Sequence, residues 1–325
     1  MIAQLEQVLV TALNSALSGA VSPSLNLSYP IIIDPEKPRH IRYKGFNCFN
    51  VHNDLEISGY INDLLEKKIT KFDPSFLEKH RAHECTASGE DEGLNWKIKE
   101  CLIYETDLSG QKYILSGDRW YCIDKDLVSE VNKFFKSTDR YIMPPAKIDE
   151  NEEKYNNRIA TLNNNLLCLD RKTIKPTGAN SSIESCDFLS ATGEFIHVKD
   201  QTSSSRLSHL FNQGVVSARV MKTDIDFRKN LRKKIEEQEA FFNKSGYKKL
   251  ILISQAKYKE SNHKIVYAVI RSGTTAVNTL PFFSLVTFRY AASELRALGY
   301  SFSFSWISKP NPSVTKAPRK KKSTT

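Results

Sequence analysis

The 325-residue chain has no apolar run approaching the ~18 residues that a membrane-spanning helix needs. The segment PIIID at 30–34 is far too short. The opening stretch MIAQLEQVLVTALNSALSGA lacks the basic n-region of a signal peptide and places Ile2, Leu5, Leu9, Ala12, Leu13 and Ala16 at helical spacing instead. Six cysteines (Cys48, Cys85, Cys101, Cys122, Cys168 and Cys186) form no CxxC and match no zinc-finger spacing. His83 lies near Cys85, but two ligands fall short of a site. With 13 glycines and 12 prolines, collagen-like and low-complexity readings are excluded. No internal repeat is evident. What remains is a globular chain of about two domains, at roughly 150 residues each, expected in a reducing cytoplasm with no membrane partner.

The net charge of +10 is unevenly placed. Residues 309–325 hold six of the 47 basic side chains and none of the 37 acids, which leaves 41 against 37 in residues 1–308. The tail, rich in Pro, Ser, Thr and Lys, reads as a disordered basic extension. The body tolerates a nucleic-acid partner without demanding one.

Periodicity predicts a helix from an Asp54 N-cap through Leu64, an acidic loop at 85–95, strands at 96–105, 112–116 and 119–124, and a helix at 125–137. Residues 1–143 thus form a small α+β domain for recognition or assembly. Met143-Pro144-Pro145 and the acids after Asp149 mark a boundary. Residues 144–308 then run helix (151–161), strands (165–174, 182–191 and 194–200), helices (204–220 and 225–244), strands (249–256 and 264–270) and a helix near 288–298. The order helix–strand–strand–strand–helix–strand is that of the restriction-endonuclease core.

In that core an acid on one hairpin strand and an acid-x-lysine on the next bind a divalent ion. Glu184 and Asp187 lie on the second strand, and His197-Val198-Lys199 on the third. Alternation puts Phe195, His197, Lys199 and Gln201 on one face. Phosphodiester hydrolysis needs a hard cation, and hence anionic oxygen ligands. Asp187 is the expected ligand, with Glu184 or a helix carboxylate (Glu152 or Glu153) as a second. Lys199 would orient or help deprotonate water and stabilise charge at phosphorus. His197 stands where the motif has a carboxylate. As a ligand it suits Mn²⁺ better than Mg²⁺, and it could instead serve as an acid–base group. The competing reading is an Asp187–Lys199 ion pair on a solvated sheet face. A phospholipase D assignment fails, because Ser204 occupies the position its motif gives to Asp and there is no second HxK.

Two basic or polar segments could contact phosphate. Ser204 and Ser205, beginning the helix after the lysine strand, read either as an anion-binding N-terminus or as a plain cap, with His209 and Gln213 one turn apart along it. Arg228, Lys229, Arg232 and Lys233 form either a phosphate-backbone patch or a solvated face balanced by Glu236, Glu237 and Glu239.

The strings YNNRIA (155–160), IESCDFL (183–189), HVKD (197–200) and LSHLFNQGVVSA (207–218), with GDRWYCID at 117–124, resemble a sporadically distributed bacterial family of uncharacterised proteins across roughly 95–300. That patchy distribution implies mobile islands and phage defence. Members extend further at the N-terminus, so the chain is expected to be a shortened version or a piece.

The expectation is therefore a mixed α/β (α+β) protein whose C-terminal half has a restriction-endonuclease-like core. Its expected function is cleavage of DNA or RNA phosphodiester bonds with Mg²⁺ or Mn²⁺, DNA being favoured over RNA as the partner. A homodimer would suit double-strand cleavage. The alternative is a non-catalytic nucleic-acid-binding or assembly module that keeps the fold without turnover.

Overall fold

The computed structural model describes residues 1–30, 40–179, 181–200, 204–272 and 280–310, without the side chains of residues 204, 205 and 272. The first half runs α1 (Ile2–Leu17), β1 (Leu25–Leu27), β2 (His40–Lys44), α2 (Ile57–Glu66), α3 (Phe76–Lys79), β3 (Arg81–Cys85), β4 (Asp91–Lys97), α4 (Ile98–Cys101), β5 (Leu102–Leu108), β6 (Gln111–Ser116), β7 (Arg119–Cys122) and α5 (Lys125–Ser137). Two antiparallel sheets, ordered β1-β5-β6-β7 and β2-β3-β4, share one apolar core. The apolar spacing of α1 puts Leu9, Leu13, Ala16 and Leu17 in that core. The turn joining β6 to β7 has positive φ at both Gly117 and Asp118, the conformation a two-residue hairpin turn favours.

The second half comprises α6 (Glu152–Leu162), β8 (Leu166–Cys168), β9 (Thr173–Ile174), β10 (Ile183–Glu184), β11 (Phe188–Ser190), β12 (Glu194–Lys199), α7 (Ser204–Thr223), α8 (Ile225–Phe241), β13 (Lys264–Ser272), α9 (Phe282–Leu298) and β14 (Ser301–Lys309). Its five-stranded sheet is ordered β14-β13-β12-β11-β8. β8, β11 and β12 form an antiparallel meander, and β12, β13 and β14 are parallel. Alternation sorts β13 to its two faces. Ile265, Tyr267 and Val269 join the core that also holds residues of α7 and α9, whereas Val266, Ala268 and Ile270 pack with Tyr155 and Ile159 of α6. The larger core also takes in Ile114 of β6 and Val131 and Phe135 of α5. Glu105 on β5 reaches across to cap α9, accepting hydrogen bonds from the backbone N–H groups of Phe282 (2.6 Å) and Phe283 (3.2 Å).

Gly214 explains one letter of the SHLFNQG string. A Cβ there would sit 2.5 Å from the Tyr267 ring, so glycine lets α7 lie directly on β13. The Tyr267 hydroxyl donates to the Phe211 carbonyl at 2.8 Å in the same contact.

Several predicted elements differ. Residues 91–97, expected within and just beyond an acidic loop, pair with β3 as β4. The predicted Asp54 cap is instead drawn to Arg206 at 3.2 Å, and α2 starts at Ile57. The strand expected at 249–256 does not form. Backbone carbonyls that a sheet would use, Ile251 and Ile253, accept from the Arg232 and Arg228 guanidinium groups at 2.7 and 3.0 Å. The seventh and last strand of the half is β14, whose alternating SFSFSWISK lies beyond the predicted elements.

Candidate functional site

The strand predicted at 182–191 is interrupted at Ser185-Cys186, leaving β10 and β11 as separate short strands. The strand predicted at 165–174 likewise splits into β8 and β9, with a turn at Asp170-Arg171 between them. These breaks bring three carboxylates together. Oxygens of Asp170, Glu184 and Asp187 all lie within 4.8 Å of one another. Asp187 is the floor, 4% exposed, while Asp170 and Glu184 are half-buried.

Each acid is held from a different element. The Val198 N–H donates to Asp187 Oδ2 at 2.7 Å, and Asn156 Nδ2 of α6 approaches Oδ1 at 3.5 Å. Asn156 is wholly buried, and its own carbonyl oxygen has no hydrogen-bond partner. Gln213 of α7 donates to Glu184 Oε2 at 3.2 Å. Glu152, the first residue of α6, accepts from the Asp200 N–H at 3.0 Å and holds Lys199 Nζ 3.3 Å from its carboxylate.

The electrostatics are those of an excess of negative charge. Burial pushes the Asp187 carboxyl well up, and the charge of Glu152, then Glu184 and Asp170, adds to it against the Val198 hydrogen bond. Burial also raises Glu184, with Asp170 and Glu152 adding to the effect. Oxygen donors at such separation, one of them buried among other carboxylates, have the chemistry of a hard-cation site. The orphaned Asn156 oxygen adds a neutral donor beside it.

The predicted residues divide. Glu184, Asp187 and Gln213 meet in this cluster, and Lys199 joins it through Glu152 rather than through Asp187. Glu153 does not take part. One position along α6 turns it outward to an exposed pair with Arg171 at 3.0 Å. His197 is not a ligand to this cluster. Its parity carries it to the α7 side, wholly buried, with Nε2 3.4 Å from Ser217 Oγ and its ring beside Tyr267. Burial lowers its pKa to about 3, so it is neutral. Gln201 lies outside the described residues, as do the side chains of Ser204 and Ser205. His209 is exposed on α7.

The basic patch on α8 is smaller than predicted. Arg228 is wholly buried, with Tyr258 beneath its guanidinium and bonds to the Ile253 carbonyl (3.0 Å) and Gln255 (2.7 Å). Arg232 donates to the Lys248 and Ile251 carbonyls. Both are internal ties, unavailable to phosphate. Lys229 and Lys233 are exposed, Lys229 pairing with Asp226 at 2.7 Å.

Sequence reasoning missed Asp170 and Asn156. The first fell inside a segment read as one continuous strand. The second lay in the quoted YNNRIA string, where a polar residue at helical spacing from Ile159 and Ala160, on the buried face of α6, was the available signal.

Among the described residues, no helix is long and apolar enough to cross a membrane. No curated protein and no solved structure matches the chain. The profile of DUF6119, a family of unknown function, matches residues 1–308. The chain belongs to that family.

Proposed function

We propose that the protein is a metal-dependent nuclease that hydrolyses phosphodiester bonds in nucleic acid, DNA before RNA, on a restriction-endonuclease-like core. The observation that carries this reading is the convergence of Asp170, Glu184 and Asp187 within 4.8 Å, with Lys199 tethered at their edge by Glu152. The order of elements supports it, since the three-stranded antiparallel meander is followed by a helical crossover to a parallel strand.

Asp170, Glu184 and Asp187 would hold Mg²⁺ or Mn²⁺, which would neutralise charge on the scissile phosphate. The all-oxygen donor set suits both ions. Gln213 fixes the Glu184 carboxylate, and the Val198 N–H fixes that of Asp187. Lys199, about one quarter exposed, is the cation positioned to stabilise negative charge growing on the phosphate. His197 stays out of the chemistry, so Glu184 supplies the anion that the motif normally carries two residues before its lysine.

The test is incubation of purified protein with supercoiled plasmid, single-stranded DNA and RNA in Mg²⁺, Mn²⁺ or EDTA. Cleavage that needs the metal and disappears in both Asp187→Asn and Lys199→Ala is the expected result. Binding without cleavage in every condition would replace this reading with the non-catalytic module.

A further inference from the structure

The N-terminal half carries a second cluster of metal-ligating side chains, unrelated to the carboxylates of the sheet. The loop after β2 and the C-terminal half of α2 bring Cys48 Sγ and carboxylate oxygens of Asp63 and Glu66 within 4.8 Å of one another. Cys48 is 3% exposed and Asp63 is 1% exposed, whereas Glu66 lies at the surface. Asp63 and Glu66 are three residues apart on α2, so they share one face of the helix.

Asn50 occupies the space between the carboxylates. Its Nδ2 bonds Asp63 Oδ1 at 2.9 Å and Glu66 Oε2 at 2.7 Å. One amide nitrogen thus satisfies two anions, as a small cation would. With a cation between the carboxylates, the amide turned by half a revolution, which interchanges nearly isosteric atoms, would direct Oδ1 at the ion. The remaining Asp63 oxygen, Oδ2, lies 2.9 Å from His52 Nε2, the arrangement by which an outer imidazole orients a ligating carboxylate.

That histidine has a place prepared for it. Gly59 sits inside α2, where glycine costs about 1 kcal/mol against alanine. A Cβ at Gly59 would fall 2.9 Å from His52 Nδ1, so the missing side chain is the cradle of the imidazole. The His52 backbone is fixed as well, exchanging hydrogen bonds of 2.8 Å in both directions with Ile41 of β2.

We propose that Cys48, Asp63 and Glu66, with the Asn50 amide oxygen, form a zinc site in which His52 positions Asp63. A sulfur among oxygens selects Zn²⁺ over Mg²⁺ or Ca²⁺, and four donors match its tetrahedral preference. Coordination releases the Cys48 thiol proton to solvent and replaces the Asn50 N–H contacts by a metal bond. The ion would pin the Cys48–His52 loop to α2. Ligands spaced as C-x-N-x₁₂-D-x₂-E fit no zinc-finger pattern, which is why cysteine spacing alone gave no sign of it.

Cobalt tests the assignment in the full-length protein, because a thiolate–Co²⁺ bond gives a charge-transfer band that an all-oxygen site cannot. Chelator-stripped protein is titrated with Co²⁺ and then with Zn²⁺, with metal content measured after desalting. The expected result is a thiolate band that Zn²⁺ abolishes, one zinc retained per chain, and the same band in Asp187→Asn and Cys122→Ser. Cys48→Ser should lose the band. Glu66→Gln, at an exposed position that folding does not need, and Gly59→Ala, which crowds His52, should each weaken zinc binding by roughly 10–100-fold. A wild-type spectrum without the band, a band that survives Cys48→Ser, or unchanged affinity in both Glu66→Gln and Gly59→Ala would overturn the proposal.

Discussion

Two buried aspartates, one in each half, meet opposite surroundings. Asp63 is enclosed by donors: Asn50 bonds one oxygen and His52 lies against the other. Asp187 has the Val198 N–H and a long contact to Asn156, and otherwise faces Glu184, Asp170 and Glu152. A satisfied polar network of the first kind holds its fold whether or not a metal is bound, whereas concentrated like charge of the second kind strains the metal-free protein. Of the two clusters, the C-terminal one is left electrostatically uncompensated by the fold. Both clusters offer donors to a metal, but only the second is left strained when none is bound.

The largest expected effect follows at once. Asp187→Asn keeps an oxygen for the Val198 N–H while removing the central negative charge. It should abolish metal-dependent cleavage, by at least about 100-fold, and at the same time stabilise the metal-free protein by about 1 kcal/mol. Asp63→Asn should do the reverse, destabilising the fold and sparing cleavage. Cleavage rates and thermal melts of the two variants check the pair; equal signs for both would dissolve the contrast.

Packing gives the next effect. Gly214→Ala forces a methyl group into the Tyr267 ring and should cost roughly 1–3 kcal/mol, read as a lowered urea midpoint. An unchanged midpoint would mean that α7 does not rest on β13 as described.

Acid sensitivity sharpens the comparison further. Burial holds His197 down to about 3 and His80, bonded to Tyr60 in the N-terminal core, down to about 4. An unfolded imidazole titrates near about 6.5, so the unfolded chain binds more protons between these limits. These histidines therefore cost stability as pH falls from about 6.5 towards 3–4. Burial raises Asp187 and Glu184, which works the other way, since the folded state takes up their protons first and gains as pH falls through the raised values. Urea midpoints measured between about pH 7 and about pH 5 should drop more steeply in Asp187→Asn than in wild type, and less steeply in His197→Gln.

The smallest effect concerns nucleic-acid affinity. Lys229→Ala and Lys233→Ala should each reduce the salt slope of DNA binding by about 1 and leave stability unchanged. Arg228→Ala should instead unfold the protein, because its guanidinium is built into the core.

The elements that were legible in sequence are those with strong local signals. α5 matches its predicted span, with Asp124 accepting from the N–H groups of Asp126 and Leu127, and the Gly117-Asp118 turn forms as its residues demand. Where long-range partners decide, reading failed. Residues 249–256 are apolar and β-branched enough for a strand, yet two arginines from α8 claim their carbonyls. In the site, strand parity placed His197 and Lys199 on one face. It did not reveal that Lys199, at the strand end, swings to Glu152 while His197 stays in the core. Asp170 was hidden because a turn between two short strands looks like one strand when each contributes only two or three residues.

The assignment that separates the structure from the sequence reading is also the most direct test of the central claim. Asp170 lies inside the carboxylate cluster, and Glu153 lies outside it, paired with Arg171. Single-turnover cleavage by Asp170→Asn and Glu153→Gln should differ sharply, with the first slowed at least about 100-fold and the second at the wild-type rate. Cleavage retained in Asp170→Asn, or lost in Glu153→Gln, would contradict the site as drawn.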